Sequence, residues 1–454
     1  MSKSSIFIGL LIVIAFVGTL LRLIHYDRIP PFAATQDEFF YPWAGMTLIE
    51  DGIPTAWSWF ESYPKRDIVV YWGATYPLVT PWVEKPPLYS LITGSLVLLT
   101  GAKELDDVRL SIIRLIPVTL SFFTIFLTGL LAKALFGNKI GLLSALLYVA
   151  VPTIVMANRL SLVENLLTPI VLLALYIYSL ERGGKLLKAK PYVLGFLSGL
   201  AVLTKNIGIA LPIIFVVIYL YQRKWKEVSI IALITVVFAL VHPLMGLYYD
   251  WNLFIDVMKD YQKGHALVGL PELTQTIFRF PVIGHKDKIF LDGAMLAGYL
   301  LLFSSPFWLK FKNNFVLLGF PFVYVVFLDI LESGGTDFSY FGWHVFPLFP
   351  FLMILMSKVL YDLWQKPNFL QSLFFYLILG SSTVRFFLLL SPVFQRSWQW
   401  LMAIFLIILI GGFALKRNYQ RLILTVLFAI FLIVNILVVI NLNQIYPGFP
   451  QPFQ

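Results

Sequence analysis

Long apolar runs separated by short polar breaks dominate the chain, at roughly 5–24, 109–132, 140–157, 163–180, 191–206, 207–221, 227–247, 289–309, 314–331, 343–360, 368–390, 398–415 and 422–441. A helix rises about 1.5 Å per residue, so runs of this length suit a hydrocarbon layer about 30 Å thick. Inside lipid each backbone group needs an internal partner, and uninterrupted apolar runs meet that need as helices rather than barrel strands. The pattern predicts an all-α polytopic membrane protein with about thirteen transmembrane helices. One further stretch, PPLYSLITGSLVLLTG at 86–101, is short and opens on two prolines.

Basic residues settle how that stretch is read. They cluster at Lys133/Lys139, Arg182/Lys185/Lys188/Lys190, Arg223/Lys224/Lys226, Lys310/Lys312, Lys358/Lys366 and Lys416/Arg417/Arg421. Short cytoplasmic loops collect Lys and Arg. Thirteen crossings with a cytoplasmic N-terminus put every cluster inside, whereas a crossing at 86–101 would put them all outside. The segment 86–101 is therefore expected to lie on, or dip into, the outer surface. Residues 25–108 and 248–288 then face outside, as does the C-terminus. Residues 5–24 read as a retained first span, because no small-residue cleavage site follows them. Gly195 and Gly199 in GFLSGL are spaced for close helix packing.

Composition agrees. Only 13% of the 454 residues are charged and 59% are hydrophobic, against about 25% charged in soluble domains. The net charge of +10 is accounted for by the inward basic loops, so no nucleic-acid partner is expected. The absence of cysteine excludes disulfides, thiolate catalysis and Cys-ligated metals. No phosphate-cradling Gly-rich motif for a nucleotide occurs, and no soluble domain of ordinary size fits between the runs. The chain divides into a membrane module at 1–247, carrying the loop 25–108, and a second at 248–454, with the loop 248–288 and the last six spans.

Several outer segments carry chemistry. AATQDEFFYPWAGMTLIEDG places Asp37 and Glu38 side by side after the first span, with Tyr41 on the face of Asp37 if the segment is helical. It reads equally as an ordinary helix start capped by Thr35. WVEKPPLYSL places Glu84 and Lys85 before the diproline, where a solvated ion pair is an equal alternative. ANRLSLVEN puts Arg159 and Glu164 in one outer turn; an interfacial anchor and a plain helix start are the simpler readings. Lys205 in LAVLTKNIG falls at the outer end of a span, where snorkelling would explain it. Together these loops gather at least three carboxylates and three cations on one membrane face. That grouping suits a reaction on a membrane-borne phosphate.

The strings DEFFY, EKPPLY, RLIPVTLSFFTIFLTGLLAKALFG, NRLSLVEN and LGFLSGLAVLTKN, in this order, resemble the GT-C integral-membrane glycosyltransferases of the protein O-mannosyltransferase and aminoarabinose-transferase type, close to glycosyltransferase families 39 and 83. The resemblance covers about residues 5–215 and thins to SYFGWHVFPLFPFL. It implies a GT-C fold with outer juxtamembrane helices in the first long loop. The implied activity is inverting transfer of a sugar from a polyprenyl-phosphate donor to an extracytoplasmic acceptor, whether lipid, glycan or protein. The implied setting is the plasma (inner) membrane of a prokaryote, with the protein a monomer among membrane lipids. Asp37 is then expected as base, with Glu38 and Tyr41 orienting it and Glu164 positioning acceptor or sugar. Lys85, Arg159 and Lys205 would hold the phosphate, and Glu84, Asn165, Arg279, Tyr340 and His344 complete the substrate-binding set. No cofactor is required by the resemblance, although Asp37, Glu38, Glu84 and Glu164 could together offer oxygens to a divalent cation.

Three departures stand out: Glu164 where many relatives carry Asp, Asn206-Ile207 in place of Gly-Pro, and a tail, NQIYPGFPQPFQ, too short for a soluble acceptor-binding domain. The alternatives are a lipid-linked sugar flippase or transporter, which needs a polar path across the midplane, and an O-antigen polymerase or ligase, which relies on outer Arg and His. The span centres hold almost no ionisable residues, and the acidic pair follows span one.

Overall fold

The computed structural model describes residues 3–31, 36–71, 73–180, 185–263, 292–310, 314–331 and 342–445. Among them six helices are long and apolar enough to cross a membrane: Ser4–Leu23, Leu110–Phe136, Trp225–Tyr249, Trp343–Gln365, Phe369–Leu390 and Arg417–Ile440. Shorter apolar helices occupy most of the remaining predicted runs. The expected thirteen crossings rest on those shorter helices as well. Helix α1 (Lys3–Leu23) turns Leu10, Val13, Phe16, Val17 and Leu20 outward, an exposed apolar stripe of the kind that faces lipid.

The first long loop folds back on the membrane helices. It contains α2 (Asp37–Glu50), a three-stranded antiparallel sheet and α3 (Leu88–Leu99). At 12 residues α3 is about 18 Å long, as short as α10 further along the chain. It packs on α2 with the main chains almost touching: a Cβ built at Gly94 would overlap the backbone of Gly45, and one at Gly45 would overlap the Ser90 carbonyl.

The sheet adds a β element to the all-α expectation. Strands β1 (Ala56–Trp57), β2 (Asp67–Tyr71) and β3 (Ala74–Val79) run in the order β1-β3-β2. Tyr71 pairs with Ala74, and Gly73 supplies the positive φ of 72° that a two-residue hairpin turn requires. Aromatic rings weld the sheet to α2: Trp43 lies 5.4 Å from Tyr71 and 5.3 Å from Tyr76, and Phe40 lies 5.4 Å from Trp57. Much of the aromatic content thus builds a core above the membrane helices.

Below this layer come α4 (Leu110–Ile113), α5 (Leu115–Phe136), α6 (Asn138–Ala150), α7 (Pro152–Ala157), α8 (Glu164–Ser179), α9 (Lys185–Thr204), α10 (Ala210–Tyr221) and α11 (Trp225–Ala239). Gly195 and Gly199 abut Ile231, Ile234 and Phe238 of α11, the close packing their spacing predicts. After α12 (Val241–Tyr249), helix α13 (Trp251–Lys263) returns to the first loop, where the Ser62 N–H donates to Asp260 at 2.8 Å.

Charge is segregated along the bundle. Lys133 sits 4.3 Å over the Phe7 ring near the start of α1, Lys139 lies 5.7 Å over Tyr361, and Lys358 lies 5.8 Å over Phe136. Arg421 donates to the Trp364 carbonyl at 3.0 Å, and Arg417 also donates to Gln365. These basic clusters share the end where α1 begins. Arg22, fifteen residues further along α1 and so about 22 Å away, meets Asn158 of the outer turn at 3.0 Å.

Replacing Gly94 by Val forces α2 and α3 apart, since the contact is backbone on backbone. A loss of about 1–3 kcal/mol is expected, read as a lowered melting temperature in detergent; an unchanged value would show that the two helices are not locked.

Candidate active site

The acidic end is organised by three arginines, Arg22, Arg114 and Arg159, each fully buried. Arg114, at the α4–α5 junction, donates Nε to Glu38 Oε1 at 2.9 Å and Nη2 to Oε2 at 2.6 Å. Its Nη1 donates to the carbonyls of Tyr26 at 3.0 Å and Pro30 at 2.7 Å. Glu38 Oε1 also accepts the Ser161 N–H at 2.7 Å. One ion pair therefore ties α2 to the segment after α1, to α5 and to the α7–α8 turn.

Glu38 is the first correction. It was expected beside Asp37 as an orienting group, but both its oxygens are committed to Arg114 and Ser161.

Arg159 is the second. Its guanidinium donates to the carbonyls of Arg22 at 3.1 Å, Ile29 at 3.3 Å and Leu21 at 3.1 Å, so it grips main chain where a phosphate was expected. Burial, with Arg22 and Arg114 close by, lowers its hold on its proton.

Asn165 is the third. Its amide donates to Ala157 at 2.9 Å and Leu160 at 2.8 Å and accepts from Asn158 at 2.9 Å, which shapes the turn from within.

The other expected residues converge. Asp37 opens α2, whose N-cap is Gln36 without a side-chain cap; Thr35, the expected cap, lies outside the described residues. Burial pushes the Asp37 carboxyl up to about 7, opposed by Lys85 and Lys205 and reinforced by Glu164 and Glu38. Lys85, half-buried before the diproline, lies within electrostatic reach of Asp37 and Glu84. Glu84 is likewise pushed up to about 7 by burial, and its Oε1 has no hydrogen-bond partner among the described residues. Glu164 begins α8 and pairs with Lys205 Nζ at 2.8 Å, leaving Oε2 without a partner among the described residues. Lys205 is held in an extended conformation between α9 and the tight turn Asn206–Ile209. Gly208 closes that turn so tightly that a Cβ there would overlap the Ala201 carbonyl.

Tyr41 is buried in α2, with its ring edge-on to Tyr89 at 5.0 Å. Tyr89, which the sequence did not single out, shares a 3.2 Å hydroxyl contact with Ser161. His344 lies in the turn Gly342–Leu348, which packs on α8, and its carbonyl accepts from Tyr324 at 2.7 Å. Arg279 and Tyr340 lie outside the described residues. Of the four carboxylates, Glu38 and Glu164 face cations, and among the described residues no group of three His, Asp or Glu is arranged for a metal.

Residues 84–247 match the sequence family described as dolichyl-phosphate-mannose-protein mannosyltransferase. The fold is similar to that of ArnT from Cupriavidus metallidurans bound to undecaprenyl phosphate, with a TM-score of 0.55 at 16% identity, over 97% of this chain and 77% of ArnT. The fold is the GT-C fold. The oligosaccharyltransferase AglB from Archaeoglobus fulgidus, in complex with an inhibitory peptide and a dolichol-phosphate, aligns with a TM-score of 0.53 at 13% identity. That alignment takes in 97% of this chain and 56% of AglB, so the chain spans little more than half of AglB's length. A search of the curated proteins returns no match.

The sequence did not single out Arg22 or the role of Arg114. Both are cations on the acidic side, against the inward bias of Lys and Arg, and such an exception points to an internal partner. Arg114→Gln would strand Glu38 as a buried unpaired charge, a loss of about 3–5 kcal/mol. The double variant Glu38→Gln/Arg114→Gln should recover part of it in thermal melts. A wild-type melting temperature in the single variant would remove the pair from its organising role.

Proposed function

We propose that the protein is a membrane glycosyltransferase that moves a sugar from a polyprenyl-phosphate carrier to a hydroxyl acceptor, with inversion, at the membrane face bearing Asp37. The observation that carries this reading is the convergence of Asp37, Lys85 and the Glu164–Lys205 pair at one end of the bundle. The carriers named with ArnT and AglB, undecaprenyl phosphate and dolichol-phosphate, support a lipid phosphate as donor. The basic clusters at the opposite end support a topology with that end cytoplasmic and the acidic end extracytoplasmic.

In this mechanism the Asp37 carboxylate takes the proton of the acceptor hydroxyl. The freed oxygen attacks the anomeric carbon from the face opposite the phosphate, and the bond between sugar and carrier phosphate breaks with its electrons leaving on phosphate. Lys85 meets that developing charge, so cations serve where a general acid would otherwise be needed. Lys205 holds Glu164 so that one oxygen remains open to a sugar or acceptor hydroxyl. A carboxyl near 7 is well matched to proton removal at neutral pH.

Because the ionised form is the active one, transfer should rise with pH through about 7 and then level off. Asp37→Asn should flatten that rise and lower kcat by about 10²–10⁴-fold, with donor binding kept; transfer of radiolabelled sugar in detergent reads both. Near-normal turnover in Asp37→Asn would exclude it as base.

Lys85→Ala should weaken binding of both the sugar-loaded and the sugar-free polyprenyl phosphate. Lys85→Arg should restore binding only in part, because a planar fork replaces a compact ammonium. Equal carrier affinity for wild type and Lys85→Ala in a detergent titration would leave Lys85 as the ion-pair partner of Glu84.

A further inference from the structure

The transfer chemistry leaves the basic end of the molecule unused. There a cavity of about 810 Å³ opens between three helices, Gly293–Trp308, Phe349–Gln365 and Phe369–Leu390. Its walls are apolar, with Ala297, Leu301, Val359, Leu363, Phe375 and Ile378 among them. Apart from Ser304, its polar lining residues Asp362, Gln365, Lys366 and Gln371 come from the helix ends beside the basic clusters. Ala297 lies eleven residues before Trp308 on one helix, so the cavity reaches about 16 Å into the bundle from that end.

The slot opens to the surroundings of the bundle rather than being sealed within it. An apolar slot with a polar mouth at the level of the basic clusters fits an amphiphile. Charge decides the headgroup. Lys366 is exposed at the mouth, and Arg417 and Arg421 donate to the neighbouring Gln365 carbonyl, Arg421 at 2.8 Å. Lys358 pairs with Asp362, the one acid lining the cavity. Cations therefore exceed acids around the opening, which favours a lipid phosphate carrying a net negative charge.

We propose that this cavity binds one anionic glycerophospholipid of the surrounding leaflet, its acyl chain between helices Gly293–Trp308 and Phe369–Leu390 and its phosphate at Lys366 and Arg417. The occupied slot would stiffen the C-terminal helices from the side opposite the proposed reaction, and it requires nothing from that reaction.

The test uses full-length protein stripped of lipid in detergent. Phosphatidylglycerol should raise its melting temperature more than phosphatidylcholine does, and the rise should be lost in Lys366→Glu and in the cavity-filling Ala297→Phe. A phosphatidylglycerol with a diazirine on its acyl chain should label Leu301, Leu363 or Phe375 in the wild type, a readout that does not depend on the variants folding. Equal stabilisation by the two lipids, or an unchanged response in both variants, would overturn the proposal. So would labelling spread evenly over the lipid-facing helices, or polyprenyl phosphate replacing phosphatidylglycerol as the stronger ligand of this cavity.

Discussion

The rest of the acidic end depends on the burial of Glu38 against Arg114. Neither side chain has measurable exposure, and removing two ions from water costs several kcal/mol each unless every donor and acceptor is met. Here the demand is met by recruiting other segments: the carbonyls of Tyr26 and Pro30 for the guanidinium, and the Ser161 N–H for the carboxylate. The chain after α1, α2, the head of α5 and the α7–α8 turn are drawn to one point. The adjacency of Asp37 and Glu38 is explained by helix geometry, since consecutive residues point about 100° apart. Glu38 turns in to the buried arginine, while Asp37 faces the field of Lys85, Lys205 and Glu164.

The molecule also divides its cations by purpose. At the basic end they cap helix termini and lie over aromatic rings, as with Lys133 on Phe7 and Arg421 on Trp364. At the acidic end Arg22, Arg114 and Arg159 are buried and bonded to carbonyls or a carboxylate, while Lys85 and Lys205 face acids. Guanidinium, with donors spread around a plane, suits the structural task; the compact ammonium suits the site.

Much of this was legible in the sequence. Apolar runs foretold the helices, and several of the Lys and Arg clusters do gather at one end of the bundle. Charge parity predicts a surface position for 86–101, where the chain forms the helix α3. Asp37, Glu84, Lys85, Glu164 and Lys205 stood out by their places beside the spans and by the strings DEFFY, EKPPLY, NRLSLVEN and LGFLSGLAVLTKN that carry them. What escaped was long-range. Glu38 and Arg114 are 76 residues apart, and no local pattern tells a carboxylate that faces a substrate from one that faces a buried arginine. Arg159 and Asn165 sit in the same short turn as Glu164 but point into it, a difference set by the fold of that turn. The β2–β3 hairpin was overlooked although Tyr71 and Ala74 flank a glycine-bearing turn, because the helical runs on either side set the expected period.

One consequence follows from how Arg114 and Arg159 hold the chain between α1 and α2. Three of their contacts fall on main-chain oxygens of that connector, at Tyr26, Ile29 and Pro30, and two on the end of α1, at Arg22 and Leu21. A carbonyl is supplied by every amino acid, so the path of this connector is insured against change in most of its own side chains. Mutational drift can rewrite much of the letter sequence of 23–31 while the spatial delivery of Asp37 is inherited intact. A comparison of homologues by sequence would then score residues 24–31 as expendable, although buried arginines hold three of their carbonyls.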